Sequence, residues 1–133
     1  MRRRSIIVIR RIETPVERDP DSYVQWLCEC LGFGRDELAT QIFKDLLKAN
    51  YKGRHPSSTE LCKGRDVTRA AVIYHLNRFI DRGLVERRGR SYSLRDTTLT
   101  STIEEIEEDM LRYFKKFKEI ARKVDTEHNI PVE

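Results

Sequence analysis

Thiols, imidazoles and one dense run of carboxylates are the residues of this sequence with enough reactivity to suggest catalysis or metal binding. Cys28, Cys30 and Cys62 offer thiolate chemistry or soft-metal ligation, and His55, His75 and His128 offer bases or ligands. Spacing does not assemble them. Residues two apart on a helix point about 200° apart, so Cys28 and Cys30 form no chelating pair without a helix end or a partner subunit. Three cysteines without framework spacing also argue against a secreted disulfide fold. Glu104, Glu105, Glu107, Glu108 and Asp109 suggest paired carboxylates for acid–base work. They open a helix, however, where negative charge matches the dipole, and they read as a solvated face. The sequence contains no phosphate-cradling Gly-rich loop, no His-Glu-x-x-His and no nucleophile elbow. It predicts no enzyme, no metal site and no cofactor.

The remaining chemistry is ionic. The 133 residues suit one domain, or a small domain with a helical extension, and the net charge of +4 is unevenly spread. Residues 1–51 carry 9 Lys/Arg and 8 Asp/Glu, residues 52–95 carry 11 and 4, and residues 96–133 carry 6 and 10. A compact block at +7 points to nucleic acid, because each phosphate neutralised by Lys or Arg releases counterions. An anionic membrane is the rival. No stretch approaches the roughly 18–20 apolar residues of a bilayer span, and no segment pairs a Lys/Arg face with an aromatic face. The run Ile6-Ile7-Val8-Ile9 is too short for a signal peptide and is interrupted by Arg10-Arg11. The expectation is a cytoplasmic protein with no membrane partner.

Local patterns supply the elements. Residues 5–12 are β-branched and predict a strand, and Pro15 and Pro20 bracket a linker, so residues 1–20 form an N-terminal strand and linker. Asp21 or Ser22 caps a short helix that Gly32-Phe33-Gly34 stops. Asp36 caps a second helix carrying Leu38, Ile42, Phe43, Leu46 and Leu47 and ending near Asn50. Ser57 and Glu60 have capping-box spacing for a helix of about two turns that breaks at Gly64. Asp66 caps the next, from 67 to 82, with Val67, Val72, Leu76, Phe79 and Ile80 apolar and Gly83 at C′. Residues 84–88 and 91–95 predict strands around Gly89-Arg90, a Gly-X pair suited to a type II′ turn. The final helix is capped through Ser101/Glu104 or Thr102/Glu105 and shows a heptad seam at Ile103, Ile106, Met110, Tyr113, Phe117, Ile120 and Val124, widened by Phe114 and Ala121. The organisation is therefore a 21–95 domain, a 96–127 helix and a 128–133 tail.

The order of these elements resembles a known family. Glu60-Leu61-Cys62, Val67 through Leu76 with His75-Leu76, Phe79, Gly83-Leu84-Val85 and the Arg-rich hairpin look like the ArsR/MarR-type bacterial and archaeal transcriptional regulators. The resemblance covers about residues 36–95. The helices followed by a basic hairpin make a winged helix-turn-helix, and with the heptad helix the fold expected is mainly α with a small β-hairpin wing (α+β): a winged helix-turn-helix plus a long C-terminal coiled-coil helix. The resemblance implies a sequence-specific double-stranded DNA-binding regulator, in the common case a repressor, with an effector left unidentified. The 67–82 helix then becomes the recognition helix, with Thr68, Arg69, Ala70, Ile73, Tyr74, Asn77 and Arg78 off its apolar stripe. Arg69 can fork onto guanine, Thr68 can reach a base edge or phosphate, and Tyr74 and Arg78 suit phosphates. Arg87, Arg88, Arg90 and Arg95 crowd a hairpin that nothing structural asks to be so basic; the first three join the DNA-binding set. His75 stands where the family also carries histidine and reads as structural or groove-facing. Metal- and arsenic-sensing members bind inducer at a Glu-Leu-Cys-x-Cys-type motif, but position 64 here is Gly64, so the second thiolate is missing.

The large residues of the heptad seam need cover and predict a homodimer; the alternative is that the seam packs on Trp26, Leu27 and the N-terminal strand of the same or the partner chain, the charge gradient then serving only the helix dipole. The dimer interface expected is Ile103, Ile106, Met110, Tyr113, Phe114, Phe117, Ile120 and Val124. An acidic first half and a basic second half of the helix suggest an antiparallel pair, with layers Ile103–Ile120, Ile106–Phe117 and Met110–Tyr113 between copies and Asp109 near Lys116 of the other. The alternative to DNA binding is a winged-helix protein–protein scaffold that docks through this helix.

Overall fold

The computed structural model describes residues 19–132. The strand expected at residues 5–12 and most of the 1–20 segment lie outside the described residues. Within them the chain is mainly helical, with one two-stranded antiparallel sheet and a long C-terminal helix.

Helix α1 (Pro20–Cys28) starts earlier than expected. Asp19, rather than Asp21 or Ser22, is the N-cap: its carboxylate accepts from the Ser22 N–H at 2.9 Å, and Pro20 stands where its missing donor costs nothing. The helix widens into a π-helical turn, Glu29–Phe33, and stops where Gly32 and Gly34 take φ of 90° and 65°. Helix α2 (Glu37–Tyr51) opens at Asp36, whose Oδ1 accepts from the Ala39 N–H at 3.1 Å. It buries Ile42, Phe43, Leu46 and Leu47, as its periodicity predicts.

Helix α3 (Ser58–Cys62) is a five-residue turn capped by Ser57, which accepts from the Glu60 N–H and donates to the Glu60 carboxylate. Helix α4 (Arg69–Asp81) is shorter than the 67–82 segment expected. Its cap is Thr68 rather than Asp66, with Thr68 Oγ1 accepting from the Ala71 N–H at 3.1 Å. The Cys62 thiol reaches the Val67 carbonyl at 3.3 Å, which ties off the α3–α4 loop and delays the helix start. Thr68→Ala is expected to destabilise the fold by about 1 kcal/mol in denaturant titration; an unchanged midpoint would show that the cap is idle. At the other end Leu84 N–H bonds Phe79 O and Gly83 N–H bonds Ile80 O, the Schellman pattern, and Gly83 has φ of 80°.

Strands β1 (Val85–Arg88) and β2 (Ser91–Leu94) pair with Arg88 opposite Ser91, leaving the two-residue turn Gly89-Arg90. Gly89 has φ of 62° and Arg90 is not in the left-handed region, as a type II′ turn requires. The hairpin is held to α2 by Asn50, whose Oδ1 accepts from the Leu94 N–H at 2.6 Å, and to the α2–α3 loop by Tyr92 N–H on Pro56 O.

Helix α5 (Leu99–Glu127) begins a turn before the expected caps. Thr98 and Ser101 cap it reciprocally, and Thr102 is instead buried, accepting from the Asp96 N–H. The earlier start lets Leu99 join Ile103 and Met110 against the core, with Ile106 inside it. The core gathers around Phe79, whose ring lies 5.0 Å from Phe33 and 5.2 Å from Phe43. The first three turns of α5 belong to the same core as α2, α4 and the hairpin, so the expected 95/96 boundary falls inside one packed unit.

Beyond Tyr113 α5 leaves this body. Phe114 is 51% exposed and Phe117 62%, with Ile120 and Val124 also open. This corrects two expectations. A segment does pair aromatic residues with a Lys/Arg face, here Phe114 and Phe117 with Arg112, Lys115, Lys116, Lys118, Arg122 and Lys123. The seam expected to run whole into a dimer is also divided, because Ile106 is 4% exposed and Ile103 and Met110 are packed on their own chain. Ile106 is covered by its own chain, and Ile103 and Met110 keep only part of their surface open.

Candidate nucleic-acid interface

The outward face of α4 follows from its burial pattern. Val72, His75, Leu76 and Phe79 turn inward, which leaves Ala70, Tyr74 and Asn77 on the opposite side, with Ile73 half-buried at their edge. These four positions have i, i+3, i+4, i+7 spacing and form one continuous strip. Tyr74 is its largest side chain, 60% exposed. The strip carries no charge until Asp81 at its C-terminal end, so any attraction for a polyanion comes from its flanks.

At the N-terminal flank Arg69 is exposed, and its Nε donates to Ser58 Oγ at 3.0 Å. That bond links the first residue of α4 to the first of α3 and directs the guanidinium. Thr68 uses one lone pair of its hydroxyl oxygen for the cap, which fixes the direction from which the hydroxyl can meet a base or phosphate. Arg78 does not stand free as a phosphate contact. Its Nη1 lies 3.9 Å from Asp36 Oδ2, and its guanidinium covers the Phe33 ring at 5.1 Å and the Tyr74 ring at 5.7 Å. It clamps α4 to the start of α2 and supports Tyr74 from behind.

The hairpin follows α4 directly and carries further arginines. Arg87 covers the Tyr92 ring at 5.9 Å and donates from Nε to Gly89 O at 2.8 Å, which stiffens the turn. Arg88 is open to solvent, 3.3 Å from a largely covered Glu86, and Arg90 is exposed at the tip. Arg95 departs from the expected basic hairpin. Its side chain is 7% exposed and grips Asp109 of α5 with two bonds, Nη1–Oδ2 at 2.6 Å and Nη2–Oδ1 at 3.2 Å, with Glu105 3.4 Å from Nε. Arg112 closes on the same carboxylate. Asp109, expected on a solvated face, is 1% exposed. The hydrogen bonds that Arg95 donates to Asp109 raise its pKa above the usual value, with burial opposing them. An open hollow of about 520 Å³ lies beside the hairpin, lined among others by Asn50, His55, Arg88, Tyr92 and Asp96.

His75 packs inside, 6% exposed, with Nε2 3.7 Å from Asp36 Oδ2, and its role in the structure is to fill the α2–α4 contact. Burial lowers its pKa from 6.5; Asp36 opposes the shift and Arg78 adds to it. The unfolded chain then takes up a proton at His75 more readily than the folded one. The stability from the neutral imidazole is complete above pH 6.5 and falls as pH drops below it. His75→Gln is expected to flatten the loss of thermal midpoint between pH 7.5 and 5; an unaltered slope would assign the loss to other groups.

The cysteines are equally internal. Cys28 and Cys30 are buried and Cys62 is partly so. Desolvation pushes the Cys28 thiol up to about 11, and it remains protonated at neutral pH. Among the described residues no group of three His, Cys, Asp or Glu side chains is placed to hold a metal ion, and no helix is long and apolar enough to cross a membrane.

Two groups were missed in the sequence. The Asp36–Arg78 clamp spans 42 positions and left no local trace. Asp109 did leave one, since it occupies the row Thr102, Ile106, Asp109, Tyr113 that turns toward the body. Comparison with family models, curated proteins and solved structures returned no match for this chain.

Proposed function

We propose that this protein is a sequence-specific double-stranded DNA-binding regulator of winged helix-turn-helix architecture that works as a homodimer, with α4 as recognition helix and the β1–β2 hairpin as wing. The observation that carries this reading is the neutral strip Ala70–Ile73–Tyr74–Asn77, exposed except at the half-buried Ile73, with exposed Arg69 at its start and exposed Arg87, Arg88 and Arg90 on the hairpin that follows α4 in the chain. A neutral polar and aromatic strip reads base edges and methyl groups, while the arginines hold phosphates. Residues 52–95 carry 11 Lys/Arg against 4 Asp/Glu, and the four arginines drawn into structure, Arg65, Arg78, Arg82 and Arg95, still leave the block basic. The acidic start of α5, with Glu104, Glu107 and Glu108 exposed, would be repelled by phosphates and favours a docking pose that keeps it away.

Selection of bound duplexes from a random pool tests the proposal. A recovered motif with inverted half-sites supports it, and a pool without enrichment overturns it. A second reading draws on the exposed Phe114–Phe117 stripe: a winged-helix scaffold that binds protein and no DNA. It predicts no salt-dependent binding to any duplex.

A further inference from the structure

We infer that the outer half of α5 is a docking surface for an acidic amphipathic helix of another protein, which lays its apolar side along Phe114, Phe117, Ile120 and Val124 and meets the cations at the edges of this stripe with carboxylates. Only the protein-binding part of the second reading above is needed for this. DNA binding is not, and any homodimer would use another surface.

The charges around the stripe select an acidic occupant. Residues 111–124 hold six Lys/Arg and one Asp/Glu. Helical spacing sets Lys118 and Arg122 along the Phe114 edge and Lys116 and Lys123 along the Ile120 edge, so cations border the apolar surface on both sides. Arg112 is held by Asp109, and Lys116 lies 3.7 Å from Glu119. Lys115, Lys118, Arg122 and Lys123 have no carboxylate within ion-pair distance among the described residues and are exposed. The same charges turn away what the chain itself could offer. A second copy brings six more cations to the contact, and residues 1–18 carry six Lys/Arg against two Asp/Glu.

Shape selects a helix. Phe117, Ile120 and Val124 prolong, at helical spacing, the row of Thr102, Ile106 and Asp109 that is buried against the body, so the body stands on the same side of α5 as the stripe. Body and arm form an inside corner. A flat bilayer laid along the stripe would run into the body, whereas a rod about 10 Å wide fits. An extended segment is also narrow, but the middle of α5 has no free backbone groups to pair with it, and a helix satisfies its own. From Phe114 to Val124 the stripe is about 15 Å long at about 1.5 Å per residue, enough to hold about three turns of the partner.

Titration calorimetry of the full chain, without DNA, against two synthetic peptides tests the inference: three heptads with Leu at a and d and Glu at e and g, and a twin with Lys in place of Glu. The Glu peptide is expected to bind more than about tenfold tighter than the Lys peptide at low salt, by a margin that shrinks as salt rises. Phe117→Asp, at a site outside the core, is expected to keep the native thermal transition and weaken the Glu peptide more than about tenfold. Lys118→Glu with Arg122→Glu is expected to turn the preference toward the Lys peptide, which a merely sticky arm would not do. Equal binding of both peptides, lost in Phe117→Asp, overturns the acidic partner and leaves a protein-docking stripe. Binding of neither, or binding indifferent to Phe117→Asp, overturns both. A native dimer in sedimentation that Phe117→Asp disperses overturns the inference in favour of a second copy, and co-pelleting with phosphatidylcholine–phosphatidylglycerol vesicles, lost in the same variant, overturns it in favour of a membrane surface.

Discussion

Asp109→Ala is expected to cost the fold about 3–5 kcal/mol, because it leaves the Arg95 guanidinium inside the protein without its bidentate partner. Glu105, 3.4 Å from Arg95 Nε, offers only partial replacement. The loss should appear in denaturant melts as a lower midpoint, and the C-terminal helix should lose hydrogen-exchange protection before the α2–α4 core does. Substituting both partners, Arg95→Met with Asp109→Leu, should recover most of the stability, since two apolar side chains need no mutual pairing. A single variant within about 1 kcal/mol of the native chain would show that this ion pair is solvated in solution and holds nothing together.

The second large effect concerns the hairpin. Combined Arg87→Ala, Arg88→Ala and Arg90→Ala should lower the slope of log affinity against log salt by about 0.9 for each arginine that meets a phosphate. At low salt the affinity for any duplex should fall steeply, with base preference retained. Asn77→Ala is the control, expected to blur preference at one base position by about 1–3 kcal/mol and to leave the salt slope alone. Loss of the hairpin arginines without a change in slope would remove the wing from the interface. Since Arg87 also covers Tyr92, the melt of the triple variant should be recorded beside its binding.

Local chemistry was legible wherever a few adjacent residues decide the backbone. The hairpin turn follows from Gly89, the end of α4 from Gly83, and the start of α2 from Asp36, and each lies where its residue type requires. Thr68 and Asp66 were interchangeable by type; the Cys62–Val67 contact selects between them, and it joins two elements. Periodicity revealed the seam of α5 but not its cover, because a 3.5-residue repeat has the same appearance against one's own core as against another chain. Arg95 was misread for a related reason. An arginine five residues past a basic turn looks like its neighbours until a carboxylate 14 positions away is brought against it. At the candidate interface the exposed strip of α4 could be counted off the helix, whereas the withdrawal of Arg78 depended on Asp36 in a separate element.

The bond between Arg95 and Asp109 also has a mechanical side. Arg95 directly follows β2, and Asp109 sits near the fulcrum of a single unbroken helix whose outer arm runs 18 residues further, to Glu127, about 27 Å away at about 1.5 Å per residue. A tilt of about 10° at the anchor swings the tip by about 5 Å over that length. Anything that fixes the tip therefore constrains the pitch of the hairpin, and the hairpin cannot rock freely without dragging the arm.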